Sequence, residues 1–161
     1  MNKGLAQNAL LDRDRYGAEQ QMSLKLWVVL ARSFNSFAQA EAAEIKNFAL
    51  TSPQFGVLEV LAHLGPLKMC EIAQKYLTSG ANITGVVDRL EEKGLVQRVM
   101  EEEDRRTYRI HLTGAGSKLI AEIFPLHARK IEKLAAALSV NEKMTLVKLL
   151  KKLGKSIQAS R

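Results

Sequence analysis

The sequence contains one cysteine, Cys70, among its 161 residues. A single thiol excludes an internal disulfide and a cysteine-rich metal site. The three histidines are scattered, with no Cys, Asp or Glu cluster at the spacing of metal ligands. We therefore expect no metal ion and no other cofactor. Cys70 opens a predicted short helix whose N-terminus could activate the thiol, but a buried, inert thiol is the interpretation we favour.

The sequence also lacks a long apolar run. No segment approaches the roughly 20 apolar residues of a membrane-spanning helix. The N-terminal segment has no signal-peptide core, because the charged stretch Asp12–Arg15 interrupts it. We therefore expect a cytoplasmic protein without a membrane partner, in which residues 1–21 form a flexible, polar arm.

The common catalytic signatures are missing as well, since the sequence has no HExxH, GxSxG, P-loop or GxGxxG motif. The glycine-rich stretch LTGAGSK, residues 112–118, does not have the spacing of a phosphate-binding loop. It is better explained as a helix start with Thr113 as the N-cap. An enzyme is therefore an alternative that the sequence does not favour, and we expect a protein without catalytic activity.

The net charge of +7 suggests a nucleic-acid partner, but its distribution weakens that inference. The first 124 residues contain equal numbers of basic and acidic side chains, so the whole surplus lies in residues 125–161. Lysines on a solvated helix face are sufficient to explain such a surplus. Basicity alone therefore points to no DNA-reading element.

What the sequence does contain is apolar residues at helical spacing through most of its length. The spacing predicts a long helix from residue 22 to about 47. Ser52 as N-cap and Pro53 in the first turn predict the start of the next helix. Two short helices follow, and Gly94 ends the second of them.

The period then changes from helical to alternating. LVQRVM and TYRIHL predict a β-hairpin. Two more helices complete the chain: one runs from Gly114 to about Leu138, and Ser139 caps the other. The predicted fold class is mainly α with a small β-hairpin wing: a winged helix-turn-helix domain at residues 51–112, flanked by dimerisation helices at 22–50 and 113–161. The flanking helices have broad apolar faces and no core of their own, which predicts a symmetric dimer.

The two short helices around QKYLTSGANI form a helix-turn-helix pattern, whose second helix lies in the major groove of DNA. Asparagine can pair with adenine, and arginine can reach a phosphate or a guanine. A glycine would let the helix approach DNA closely. The predicted contacts on this helix are Ser79, Asn82, Thr84, Gly85 and Arg89. Ordinary polar surface residues are the alternative explanation.

The hairpin supplies a second predicted contact. A wing tip can enter a narrow minor groove, whose negative potential attracts arginine, and Arg105 and Arg106 occupy the predicted tip. We expect Asp104 to brace the tip by pairing with Arg98 or Arg106. The carboxylates of Glu101–Glu103 oppose this interpretation, because they repel phosphates unless they point away from the DNA. A solvated loop is the alternative.

The segment NITGVVDRLEEKGLVQR…EDRRTYRIHLTGAG resembles the MarR (multiple antibiotic resistance regulator) family of winged-helix transcriptional regulators. The resemblance is carried by VVDRLEEKGLV, by DRR at the wing tip and by LT before the next helix, and the element order fits over about residues 22–157. It implies a homodimer that binds a pseudo-palindromic double-stranded DNA operator and usually represses transcription, with the helix and wing residues above as DNA contacts. Two departures concern affinity: Gly85 replaces a longer, often basic residue, and the EEE run makes the wing acidic.

The resemblance also implies release from DNA by a small aromatic effector bound between the dimer helices and the winged domain. The predicted pocket comprises Trp27, Phe34, Phe37, Phe55 and Met69, although an ordinary apolar core explains these residues too. The predicted dimer interface comprises Leu26, Leu30, Val147, Leu150, Leu153 and Ile157. A winged-helix protein-interaction module without sequence-specific DNA binding is the second alternative.

Overall fold

A computed structural model describes residues 16–75, 80–101 and 107–159 of the protein. The chain divides into two compact units, Met1–Ala40 and Glu41–Arg161, so the boundary falls within the first helix. Among the described residues, no helix is both long and apolar enough to cross a membrane.

The described elements are mostly helical, which confirms the predicted fold class. In chain order they are α1 (Ala18–Ile45), a 3-10 turn (Lys46–Phe48), α2 (Ser52–Leu64), β1 (Leu67–Lys68), α3 (Met69–Lys75), α4 (Gly80–Glu92), β2 (Val96–Met100), β3 (Tyr108–Leu112), α5 (Gly114–Leu134) and α6 (Val140–Ala159).

The start of α2 differs by one residue from the prediction. Thr51, not Ser52, is the N-cap: its hydroxyl accepts a hydrogen bond from the Gln54 backbone N–H, and the Gln54 side chain accepts one from the Thr51 N–H at 3.0 Å. This reciprocal pair is a capping box. Ser52 instead donates its hydroxyl to Glu41 Oε2 at 2.8 Å. Two adjacent hydroxyl residues are equally good caps by type, so their roles could not be separated from sequence.

The small sheet has three antiparallel strands in the order β1–β3–β2. The predicted hairpin is its larger part, with Val96 opposite Leu112 and Met100 opposite Tyr108. The additional strand, β1, pairs Leu67 with Ile110 and escaped prediction because two residues cannot display an alternating pattern. β3 is therefore the central strand of the sheet.

One apolar core lies within Glu41–Arg161 and joins α2, α3, α4, the sheet and the first half of α5. It includes Phe55, Ile72, Val87, Ile110 and Ile123, none of them more than 2% exposed. The core fixes the positions of α4 and of the hairpin, which carry most of the predicted functional residues.

As predicted, an N-cap residue marks the start of each of the two C-terminal helices. The Thr113 hydroxyl accepts a hydrogen bond from the Gly116 N–H at 3.0 Å and opens α5. Ser139 precedes α6, where its N–H donates to Glu142 Oε2 at 2.8 Å and its hydroxyl accepts from the Glu142 N–H at 3.4 Å. α5 ends at Leu134, a turn earlier than the predicted residue 138.

Candidate nucleic-acid interface

Helix α4 presents one buried face and one exposed face. Its buried stripe consists of Ile83, Val86, Val87 and Leu90. Three of the predicted DNA contacts, Thr84, Gly85 and Arg89, are exposed. Because the apolar stripe packs into the core, these three residues lie on the exposed face and are accessible to a partner. Asn82 lies in α4, but its side chain is outside the described residues, as is the whole of Ser79.

Gly85 is not required by packing against the described residues. A Cβ placed on Gly85 meets none of their atoms within 4 Å outside the helix's own backbone. Glycine in a helix interior costs roughly 1 kcal/mol relative to alanine. The helix therefore gives up stability at an exposed position where no described residue needs the space.

Arg98 joins β2 to α4 through two carboxylates. Its Nη2 donates to Asp88 Oδ1 at 2.5 Å, and its Nη1 donates to Glu91 Oε2. The Arg98 backbone N–H also donates to Glu91 Oε1 at 3.0 Å. The hydrogen bond to Asp88, helped by the charges of Glu91 and Asp88, raises the pKa of Arg98 above its ordinary value. The hairpin is thereby held against the helix that precedes it.

The brace that we predicted for the wing was an Asp104–Arg98 or Asp104–Arg106 pair. Among the described residues, Arg98 pairs with Asp88 and Glu91 of α4, two carboxylates that the sequence did not indicate as its partners. Asp104, Arg105 and Arg106 lie outside the described residues, and their roles stay predictions. Helical spacing alone did not reveal that Asp88 and Glu91 face β2, because this contact depends on how the strand packs on α4.

Glu101 follows β2 and is paired with two cations of the sheet. Its Oε1 accepts from Arg109 Nε at 2.5 Å, and its Oε2 lies 3.0 Å from Lys68 Nζ. The hydrogen bonds from Lys68 and then from Arg109 lower the pKa of Glu101. The negative charge of this carboxylate is therefore balanced by two cations of the sheet. The expectation that the Glu101–Glu103 carboxylates oppose DNA binding unless they point away stays a prediction, and Glu102 and Glu103 are outside the described residues.

The predicted dimer residues lie on exposed apolar faces of two helices. In α1, Leu26 is exposed and Leu30 is half-buried. In α6, the exposed positions are Val147, Leu150 and Ile157, and Leu153 is half-buried. α6 contains no fully buried residue at all, so its apolar side is uncovered in the single chain.

The predicted ligand-pocket residues have different environments. Trp27 and Phe34 are strongly exposed, at 68% and 69%, and Phe37 is exposed at 37%. Phe55 is a core residue, 2% exposed, with its ring 4.6 Å from that of His127, and Met69 packs against the same core.

Two surface clefts among the described residues, one within each unit, are lined by none of these five residues. The larger cleft lies between the end of α2 and the start of α5, and His63, His111 and Phe124 contribute to it. The pocket assignment therefore stays a prediction.

Cys70 is exposed, which contradicts the expected buried thiol. The next positions of α3 explain this, because Ile72 and Ala73 are the residues that the helix directs into the core.

A short helix α3 packed on a longer helix α4, followed by a hairpin that is ion-paired to α4, defines a winged helix-turn-helix protein. The comparisons agree with this class. The MarR family model matches residues 50–108. The HTH-type transcriptional regulator MhqR of Bacillus subtilis is 36% identical over 134 residues, which are 83% of this chain and 92% of MhqR. The uncharacterised regulator YkoM of the same organism is 34% identical over 84% of this chain and 88% of its own.

A solved structure extends the likeness to three dimensions. Bordetella bronchiseptica BpsR, a protein whose DNA binding is regulated by 6-hydroxynicotinic acid, is 25% identical, with a TM-score of 0.74 over 81% of this chain and 98% of its own. The chain belongs to the MarR family of transcriptional regulators. It is a DNA-binding regulator by that membership.

Proposed function

We propose that the protein is a homodimeric repressor that binds a pseudo-palindromic operator in double-stranded DNA and is released by a small aromatic ligand. The observation that carries this proposal is the attachment of the hairpin to α4. Arg98 in β2 forms hydrogen bonds and ion pairs with Asp88 and Glu91 of the helix. A rigid joint of this kind lets one protein contact a major groove and its flanking minor groove together.

In this proposal α4 enters the major groove through its exposed side. Asn82 reads a base, Thr84 and Arg89 contact phosphate or a base edge, and Gly85 allows close approach. The exposure of Thr84 and Arg89 and the open space around Gly85 support the assignment. Ser79 at the helix start and Arg105 and Arg106 on the wing complete the predicted contacts.

The dimer is proposed from the uncovered apolar faces of α1 and α6. Leu26 and Trp27 in α1 and Val147 and Leu150 in α6 are all exposed in the single chain. Neighbouring apolar side chains that are exposed on a protein surface mark association sites. A second copy of the chain exposes the same apolar faces and can cover them. A two-fold dimer places two α4 helices on two half-sites of an inverted repeat.

The aromatic ligand is proposed on the likeness to BpsR, since its reported regulator is a small aromatic acid. Exposed aromatic side chains at Trp27, Phe34 and Phe37 supply surfaces on which such a ring can stack. The ligand can release DNA only if it binds the DNA-incompetent conformation more tightly than the competent one.

The test of DNA binding is selection of bound duplexes from a random pool at near-physiological salt, followed by affinity measurements over a salt series. We expect an inverted repeat with half-site centres about one helical turn apart and an affinity that falls steeply with salt. A folded dimer that enriches no duplex would contradict the proposal and favour the protein-interaction alternative.

The ligand is tested on the selected duplex by fluorescence anisotropy. We expect 6-hydroxynicotinic acid or another small aromatic acid to lower DNA affinity, and cyclohexanecarboxylate, which matches charge and size without an aromatic ring, to leave it unchanged. Equal effects of aromatic and saturated acids would remove the aromatic part of the proposal. Repression is tested separately, by placing the operator across a promoter and measuring transcription with and without the protein.

A further inference from the structure

Glu101, at the base of the wing, connects the hairpin loop to the rest of the sheet. Glu101 is the last described residue before the hairpin loop, and Thr107 is the first after it. The Glu101 N–H donates to the Thr107 carbonyl at 2.9 Å, which closes the base of the loop. The Glu101 carboxylate pairs with Arg109 of the central strand and Lys68 of the outer strand. One residue thus joins the loop base to the two other strands.

The pairs of Glu101 continue toward the helix-turn-helix. Arg109 Nη1 donates to the Pro66 carbonyl at 3.2 Å and lies 3.8 Å from Glu71 Oε2 in the first turn of α3. The same Glu71 oxygen accepts from the Lys68 N–H at 2.7 Å. Ion pairs and hydrogen bonds therefore form one connected network from α3 through β1 and β3 to the base of the wing.

This cluster is separate from the one around Arg98. Arg98 attaches the hairpin to α4, whereas Glu101 attaches it, through Lys68 and Arg109, to the strand and helix before α4. Two attachments on different elements restrain the hairpin more than either one alone would.

We propose that Glu101 is a positioning residue for DNA binding: its pairs with Lys68 and Arg109 fix the base of the wing so that the wing arginines meet the minor groove. The inference rests on the proposed DNA contact of Arg105 and Arg106. It assigns a favourable effect on affinity to a carboxylate, although a negative charge close to phosphates weakens binding by simple Coulomb repulsion.

The two effects have opposite signs, so substitution separates them. Glu101→Gln removes one negative charge and keeps the size and one acceptor oxygen. If the charge only repels DNA, affinity for the selected duplex rises. If Glu101 positions the wing, affinity falls by about three- to ten-fold, because an uncharged glutamine cannot form ion pairs with Lys68 and Arg109. Glu92→Gln is the matched control: Glu92 is exposed at the end of α4, and the same charge change there should leave affinity equal or higher.

The assay is fluorescence anisotropy on the selected operator over a salt series, with thermal unfolding of each variant as the check on folding. We expect the magnitude of the salt slope to fall by about one for Glu101→Gln and to stay unchanged for Glu92→Gln, since a displaced wing arginine releases its phosphate contact. In a chain that already carries Arg105→Ala and Arg106→Ala, Glu101→Gln should not lower affinity further.

Tighter or unchanged binding by Glu101→Gln would overturn the inference, and so would an equal loss of affinity in the chain without wing arginines. A parent chain that binds no duplex would instead overturn the proposed function, which the parent measurement reports before any variant is compared. A lowered unfolding temperature together with a salt slope equal to the parent's would assign Glu101 to stability alone and also refute the positioning role.

Discussion

At Gly116, the first turn of α5 lies so close to the Leu95 backbone that we expect a large effect of adding one methyl group. A Cβ on Gly116 would lie 2.0 Å from the Leu95 carbonyl oxygen and 3.3 Å from Leu112 Cδ2. The first contact is with backbone, which cannot rotate away. The Leu95 oxygen also accepts a hydrogen bond from the Thr113 N–H at 3.1 Å, so moving the two segments apart breaks the joint between them.

The magnitude follows from three contributions to the free energy of unfolding. Forced separation in a packed contact costs about 1–3 kcal/mol. Loss of the hydrogen bond at Leu95 costs about 0.5–1.5 kcal/mol. Alanine recovers about 1 kcal/mol of helix propensity relative to glycine. Gly116→Ala should therefore destabilise the protein by about 0.5–3.5 kcal/mol.

Gly85→Ala is the control, because it is the same substitution in α4, where no atom of the described residues outside the helix backbone lies within 4 Å of the new methyl group. It should stabilise the protein by up to about 1 kcal/mol. The assay is urea denaturation of both variants at one fixed protein concentration, since a dimer's apparent stability depends on concentration. A Gly116→Ala protein as stable as Gly85→Ala would refute the reasoning from the close contact.

Three further predictions concern DNA reading, assembly and pH. Asn82→Ala should cost about 1–3 kcal/mol of operator affinity and relax preference at one base position, as measured with single-base operator variants; an unchanged preference would exclude base reading. Leu150→Asp should dissociate or unfold the dimer because Leu150 lies on the exposed apolar face of α6, and an unchanged mass in light scattering would contradict this. Ser139 hydrogen bonds lower the pKa of Glu142, so this carboxylate stabilises the fold above its ordinary pKa and loses the effect as pH falls through the lowered value. Urea midpoints from about pH 6 to pH 3 should fall less in Glu142→Gln than in the parent, and parallel curves would exclude the linkage.

Local signals accounted for most of the secondary structure. The caps at Thr113 and Ser139 and the left-handed conformation of Gly94 act within one turn of chain, so residue type alone identified them. The change of period at Leu95 located the hairpin. The apolar stripe of α4 likewise separated the buried side of the helix from its exposed side.

The candidate site was only partly accessible to this reasoning. Exposure of Thr84, Gly85 and Arg89 followed from helical spacing and is observed. The partners of Arg98 did not follow, because Asp88 and Glu91 meet it across a helix–strand contact. The exposure of Cys70 was also missed, since a short helix has too few residues for its apolar period to show which side is inward.

The sequence by itself determined the order of elements, the helix caps, the hairpin and the family, because these depend on residues close together in the chain or on a contiguous motif. Tertiary structure alone decided the rest. The pairing of Leu67 with Ile110, the approach of Gly116 to Leu95, and the cluster of Glu101 with Lys68 and Arg109 join separate elements. A side chain's charge is local, but the charges that it meets are set by packing, and that is why the sequence did not show that Glu101 pairs with Lys68 and Arg109.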